Sequence, residues 1–253
     1  MIDHRLVKLG KHAPKKDARN LKLARYLTAS LPPPPESCDW SAKVGGSWGV
    51  MLNDSLGDCT CAAAGHLIEA WTANAGVRVT PPDSAILAAY EQLCGYNPAD
   101  PSTDGGGVEV DVLNGWRKIG IAGHRIGAYA AVDVHNLSHV KTAVSLFGGV
   151  YAGVSLPRSA QGQNSWAVPS GGAVGDGAVG SWGGHAVPVV AYNPAGPVVV
   201  TWGALLQVTW AFWLAYFDEA YAIVSPDWLV AGAATPAGVN VEALATDLID
   251  VTA

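Results

Sequence analysis

Apolar residues in the first half of the chain recur at helical spacing. Between Cys59 and about residue 75 they include Ala63, Leu67, Ile68 and Trp71, and Gly76 stops the run, which predicts one buried helix beginning at a cysteine. A second helix is predicted over residues 84–93, after the start signal Pro81-Pro82-Asp83, and a third over 110–118. Beyond Gly120 the pattern changes to short runs rich in β-branched and aromatic residues. These predict strands over 149–156, 186–192, 198–202 and 220–224, interrupted by one helix over 140–147. Residues 161–184 form a glycine-rich stretch of low charge whose length points to a functional loop, and it ends at His185. The class is α+β, helices first and strands later.

The flanks read differently. Residues 1–30 are charged and form an N-terminal extension, closed by Leu31 and the stiff run Pro32 to Pro35. Residues 31–120 make the helical lobe, 121–230 the β-rich lobe, and 231–253 a tail in which Val239, Leu244, Leu248 and Ile249 suffice for one docked helix. With 253 residues, 49% of them apolar, the chain can bury a sizeable core.

Charge narrows the function classes. Only 14% of residues are charged and the net charge is −6, so no basic face is expected and nucleic acid is a poor partner. Neither a secretory signal nor a membrane span of eighteen apolar residues is present, which predicts a soluble protein that starts in the cytoplasm. The four cysteines, Cys38, Cys59, Cys61 and Cys94, are too few for a disulfide scaffold. Cys59-Thr60-Cys61 lacks the two-residue gap of a zinc pair, so no metal and no cofactor are expected. Cys38 and Cys94 have no catalytic context and are candidates to pair in an oxidising compartment.

Candidate chemistry sits at two places. Asn53-Asp54-Ser55-Leu56-Gly57-Asp58-Cys59 runs straight into the first helix, so Cys59 stands at a helix N-terminus, where the dipole favours thiolate over thiol. A small buried apolar group is the competing reading of the same residue. Gly183-Gly184-His185-Ala186-Val187 presents an imidazole at the start of an apolar strand, placed to exchange a proton across a cleft or to serve as a hydrogen-bonded structural residue.

Taken in order, these segments resemble the papain-like cysteine peptidases, in a divergent bacterial or phage-type form. Leu31 to Trp40 is similar to the start of a mature papain-type enzyme. Gly57-Asp58-Cys59-Thr60-Cys61-Ala62 looks like that family's nucleophile motif, His185-Ala186-Val187 like its His-Ala-Val strand, and Trp202-Gly203 like the end of its Asn-Ser-Trp-Gly. The resemblance implies a two-lobe fold, a helical lobe and an antiparallel β-barrel-like lobe with the cleft between. It also implies hydrolysis of a polypeptide substrate through a Cys59 thioester with His185 as general base. Six residues before the nucleophile the family has an oxyanion-donating glutamine, and here that place holds Asn53, which is also good turn chemistry. Gly184 and Trp202 are expected to contact substrate. Residues 1–30 would act as a short pro-segment across the cleft, or as a plain surface strap.

One departure stands out. Counting back from Trp202 puts Val200 in the place of the family's imidazole-orienting asparagine, and valine has no hydrogen-bonding group. Thr201 offers a hydroxyl, on the opposite face of the strand unless the register shifts by one. Asn164-Ser165-Trp166 precedes His185, so it is a loop coincidence, and Asp176 reads as a turn residue. His66 lies two helical turns from Cys59, about 10 Å along the axis, and is a poor base. The alternative to a peptidase is a catalytically weak or inactive papain-fold component of a larger assembly such as a virion; a transpeptidase or ligase is a third reading.

Overall fold

In the computed structural model the described residues are 7–15, 20–27, 31, 33–229 and 240–252. A short strand, β1 (Cys38–Asp39), precedes the helices α1 (Cys59–Asn74), α2 (Asp83–Cys94) and α3 (Glu109–Lys118). The second lobe runs β2 (Ala128–Ala131), α4 (Leu137–Phe147), β3 (Val150–Leu156), β4 (Gly183–Asn193), β5 (Gly196–Thr201) and β6 (Ala204–Gln207). It continues through α5 (Trp210–Tyr216), β7 (Phe217–Val224) and α6 (Pro226–Leu229) to α7 (Val241–Thr252).

Every residue of α1 from Cys59 to Ala73 is buried, so this helix is apolar all round and has to be enclosed on every side. It packs on β3, β4 and β5 on the sheet side and on α2, α3 and α6 elsewhere. Trp71 stacks on Trp116 of α3, with centroids 5.7 Å apart, and its indole N–H donates to Phe147 O at 2.9 Å. The one charge on α1, Glu69, is paired with Arg78 and accepts from the Thr80 hydroxyl at 2.8 Å. Arg78 also donates to Val44 O at 2.9 Å, which ties the loop ahead of α1 to the helix.

The strands form one antiparallel sheet in the order β2-β7-β3-β4-β5-β6, with β1 on β4 beyond the end of β3. The barrel-like closure expected from the resemblance does not occur: β2 and β6 stand at opposite edges of an open sheet. Both edges are covered instead. The N–H of Ala131 in β2 donates to Leu21 O at 2.7 Å and α7 packs on β2, while Val208, just past β6, is bridged by Trp166. Covered edges have no need to meet each other. α7 is the docked tail helix, with Leu244 fully buried; Val239 lies outside the described residues.

Residues 7–12 run between the two lobes as an extended strap. On one side the Lys11 N–H donates to Gly184 O at 3.0 Å. On the other, the Gly107 N–H donates to Gly10 O at 2.7 Å and the His12 N–H to Gly107 O at 2.9 Å. The strap therefore bridges the start of β4 and the segment leading into α3.

α4 is punctuated at both ends, by the Asn136 side chain accepting from the His139 N–H and by Gly148 in the left-handed region at φ 69°. A Cβ at Gly148 would lie 2.6 Å from Trp228 Cε3, and the Trp228 indole is anchored to Leu146 O at 2.9 Å. Gly148→Ala is accordingly expected to lower unfolding free energy by roughly 2–4 kcal/mol, combining left-handed strain with overpacking. Urea denaturation with an unchanged m-value checks it.

Candidate active site

Cys59 is the first residue of α1, and its sulfur meets the backbone N–H groups of Ala186 and of Gly10. The structure thus brings the cysteine against the residue that follows His185, at the junction of the lobes. The thiol is fully buried, and Gly10 of the strap is part of what buries it. Burial pushes its pKa up to about 12, against the two N–H groups, which act downward. The lowered pKa expected for a cysteine at a helix start is not found with the strap in place, because loss of solvent outweighs the helix terminus.

His185 lies near the start of β4 and is buried. Its Nε2 is 2.9 Å from Thr201 Oγ1, and its ring stacks on Trp202 with centroids 4.7 Å apart and planes 13° from parallel. Strand parity explains the threonine. Val189 pairs with Val199 across β4 and β5, so His185, Val187 and Val189 share a face with Val199 and Thr201. Val200 points the other way, into a small cluster with Val44, Trp48, Ala70, Ala73 and Val190. Trp202 has φ 46° and is itself buried, braced by Trp166 and Trp182 at centroid distances of 6.3 and 5.7 Å. It forms a wall behind the imidazole.

Asn53 is buried in the loop before α1, where Met51 and Leu52 have positive φ. Its amide nitrogen donates to Asp58 Oδ1 at 3.1 Å and, weakly, to Leu56 O at 3.3 Å, so both amide hydrogens are engaged within the loop. Gly184 presents its carbonyl to Lys11 of the strap, and a Cβ there would lie 2.1 Å from Lys11 O. The remaining sequence candidates lie elsewhere. His66 Nε2 donates to Gly49 O at 3.0 Å, and burial holds its pKa down at about 4. Asp176 is exposed, 3.7 Å from Arg158 in an open ion pair. Trp166 of Asn164-Ser165-Trp166 is buried on Phe212. All four cysteines are free: Cys94 neighbours Cys61 and Thr60, and Cys38 faces Tyr192 across β1 and β4.

Four charged residues at the cleft carried no motif. Lys11 projects from the strap and its Nζ is 2.9 Å from Asp218 Oδ1 and 3.0 Å from Glu219 Oε1, with its side chain 1% exposed. Glu109, at the start of α3, is fully buried and electrostatically coupled to it. The available signal was an acidic pair, Asp218-Glu219, inside an otherwise apolar strand, and a lone glutamate between Val108 and Val110.

Asp58, the residue before Cys59, is another buried acid, and burial raises its pKa to about 8. The unfolded chain releases this proton near 3.8, so between pH 4 and 8 the folded state binds more protons and stability falls as pH rises. Asp58→Asn keeps the acceptor used by Asn53 and removes the titration. It is expected to abolish a loss of up to roughly 4 kcal/mol between pH 4 and 7, measured by denaturant melts across that range.

No family model matches the sequence, and neither does any curated protein. Solved structures do match in shape. Xylellain, a cysteine protease from Xylella fastidiosa, superposes with a TM-score of 0.63 at 15% identity, over 87% of this chain and 96% of that one. Digestive procathepsin L 3 of Tenebrio molitor gives 0.59 at 12% identity over 87% and 77%, and a Carica candamarcensis cysteine protease gives 0.53 at 14% over 75% and 98%. At these identities the likeness is one of fold, and the fold this chain carries is that of the papain-like cysteine proteases, with a helical lobe on an open β-sheet lobe.

Proposed function

We propose that the chain is a cysteine peptidase acting on extended polypeptides, with Cys59 as nucleophile and His185 as general base. The observation that carries this reading is the contact of the Cys59 sulfur with the N–H of Ala186, beside a histidine whose Nε2 sits on Thr201. That contact joins the first turn of α1 to the histidine strand at one point. In the proposed reaction the Cys59 proton passes to Nδ1 of His185 as the sulfur attacks the scissile carbonyl. The resulting oxyanion is held by the Cys59 N–H, a first-turn amide with no acceptor within its own helix. Asn53 would add a second donor by giving up its 3.3 Å bond to Leu56. Collapse expels the amine, which takes the proton from His185 and leaves a thioester for water to hydrolyse.

The backbone groups of Gly184 and Gly107 suit this role, since each pairs with an extended chain across the cleft. The chain they hold here is residues 10–12, so the strap has to leave before substrate enters. Its departure returns solvent to the sulfur and lowers the thiol pKa. A second reading, a papain-fold binding component without catalysis, draws on the engaged Asn53 amide and the strongly raised thiol.

Gly10→Ala separates the two. A Cβ at Gly10 would lie 1.7 Å from Gly57 O, so the alanine evicts the strap while leaving the Cys59 and His185 side chains unaltered. In this variant an epoxide-type cysteine-peptidase inhibitor is expected to add once to Cys59, by intact mass, faster than in the parent, and Cys59→Ala removes the adduct. Labelled casein should be cleaved in parallel. A folded Gly10→Ala protein that takes no label between pH 5 and 8 overturns the peptidase reading and favours the binding component. In the same background Thr201→Val should lower kcat roughly 100-fold with little change in KM, because a misoriented imidazole costs that much. Thr201→Asn should restore most of it.

A further inference from the structure

Three carboxylates, Glu109, Asp218 and Glu219, surround one ammonium in the cleft. Burial alone would lower the Lys11 pKa, but the facing acids Glu109, Glu219 and Asp218 outweigh it and hold the group above its ordinary value, while burial in turn pushes the Glu109 and Glu219 carboxyls up. A latch needs one partner for one lysine, and this site is richer. Glu109 is fully buried, and among the described residues neither of its oxygens has a hydrogen-bond partner. A buried carboxyl with no donor is costly to keep, which marks it as built for something the socket receives. The socket's form is as specific as its charge. Gly153 of β3 makes the wall against the lysine stem, where a Cβ would lie 1.9 Å from Lys11 Cε. Glu219 is braced from behind by the Tyr221 hydroxyl at 2.8 Å. Among the described residues no three His, Cys, Asp or Glu side chains are arranged to hold a metal ion, and this group is no exception.

We propose that this socket is the side-chain selectivity pocket of the cleft and that it takes a lysine side chain of an extended polypeptide, Lys11 being its occupant in cis. The inference rests on the cleft being a polypeptide site, as argued above, but it does not need catalysis to be tested. The lysine stem lies along Gly153, its ammonium reaches Asp218 and Glu219 within the field of Glu109, its own N–H is held by Gly184 and its neighbours Gly10 and His12 by Gly107. The strap closes the cleft by offering the side chain that the pocket selects.

The experiment uses the full chain carrying Cys59→Ala, which removes hydrolysis, and Lys11→Ala, which empties the socket. A fluorescent peptide with the sequence of residues 7–15, Val-Lys-Leu-Gly-Lys-His-Ala-Pro-Lys, is titrated by anisotropy against the same peptide with methionine in place of its central lysine. The lysine peptide is expected to bind roughly 30-fold tighter or more, the cost of leaving buried charges unpaired at an interface. Adding Glu219→Gln should shrink that ratio by about ten-fold. Equal affinities for the two peptides, or no binding of either by the folded variant, overturn the proposal. If Lys11→Ala does not fold, Gly10→Ala with Cys59→Ala opens the same cleft and is read in the same way. Loss of the lysine preference with intact labelling of Cys59 in Gly10→Ala would sink this inference alone, whereas absent labelling with a retained preference would sink only the peptidase.

Discussion

The structure depends on the enclosure of one helix. α1 has no polar face to give to solvent, so the two lobes meet around it and its first turn is driven against β4. That turn carries Cys59, and β4 carries His185, so the same burial that closes the core sets the nucleophile candidate against the histidine strand. The loop feeding the helix is fixed by polar contacts. Gly57 N–H donates to Asp104 Oδ1 at 2.9 Å, the Tyr90 hydroxyl donates to the same oxygen at 2.7 Å, and Lys8 of the strap pairs with the other oxygen at 2.6 Å. Asp104 therefore ties the approach to Cys59 and the strap above it to one carboxylate.

Enclosure and reactivity pull in opposite directions at the sulfur. A helix N-terminus favours an anion by about 0.3–1 kcal/mol, up to about 2 when partly buried. Raising the thiol pKa from 9.0 to about 12 corresponds to roughly 4 kcal/mol in the other direction, so desolvation wins while the strap is seated. The strap's backbone contacts are glycine-dependent. A Cβ at Gly106 would lie 1.9 Å from Gly10 O, and one at Gly184 would lie 2.1 Å from Lys11 O. The cleft is built for one more extended chain lying close to its walls, and at present the chain's own N-terminal segment fills that place.

Much of this was legible in the residues. The sequence pattern located α1, α2 and α3 to within a residue at each end and α4 at its end but three residues late at its start, and Gly76, Gly95 and Gly148 stop α1, α2 and α4 by backbone geometry. Strand starts were less legible. β4 begins at Gly183, where paired glycines read as loop and serve as the docking edge for the strap. β7 begins at Phe217, three residues earlier than its apolar run suggests, because Asp218 and Glu219 interrupt the pattern to face Lys11. β2 and β6, with the sequences Ala-Tyr-Ala-Ala and Ala-Leu-Leu-Gln, hold no β-branched residue and are strands by pairing alone. The acidic socket was illegible for a deeper reason. Its members lie far apart along the chain, and only the fold assembles them.

Thr201 shows how a departure from a family pattern can follow from parity. An asparagine carbonyl accepts only, so it demands a hydrogen on Nε2 of the histidine and thereby leaves Nδ1 basic. A threonine hydroxyl both donates and accepts, and at 2.9 Å from Nε2 it tolerates either tautomer. Orientation then falls more heavily on the ring's other contacts. Trp202, held at φ 46° and backed by Trp166 and Trp182, fixes the imidazole plane by stacking, and the strand fixes its height above the cleft. The plane is thus set by apolar packing, while the tautomer is left to the group on the opposite nitrogen. On the proposed mechanism that group is the thiol, whose own proton would select the basic Nδ1 when sulfur and ring come into line.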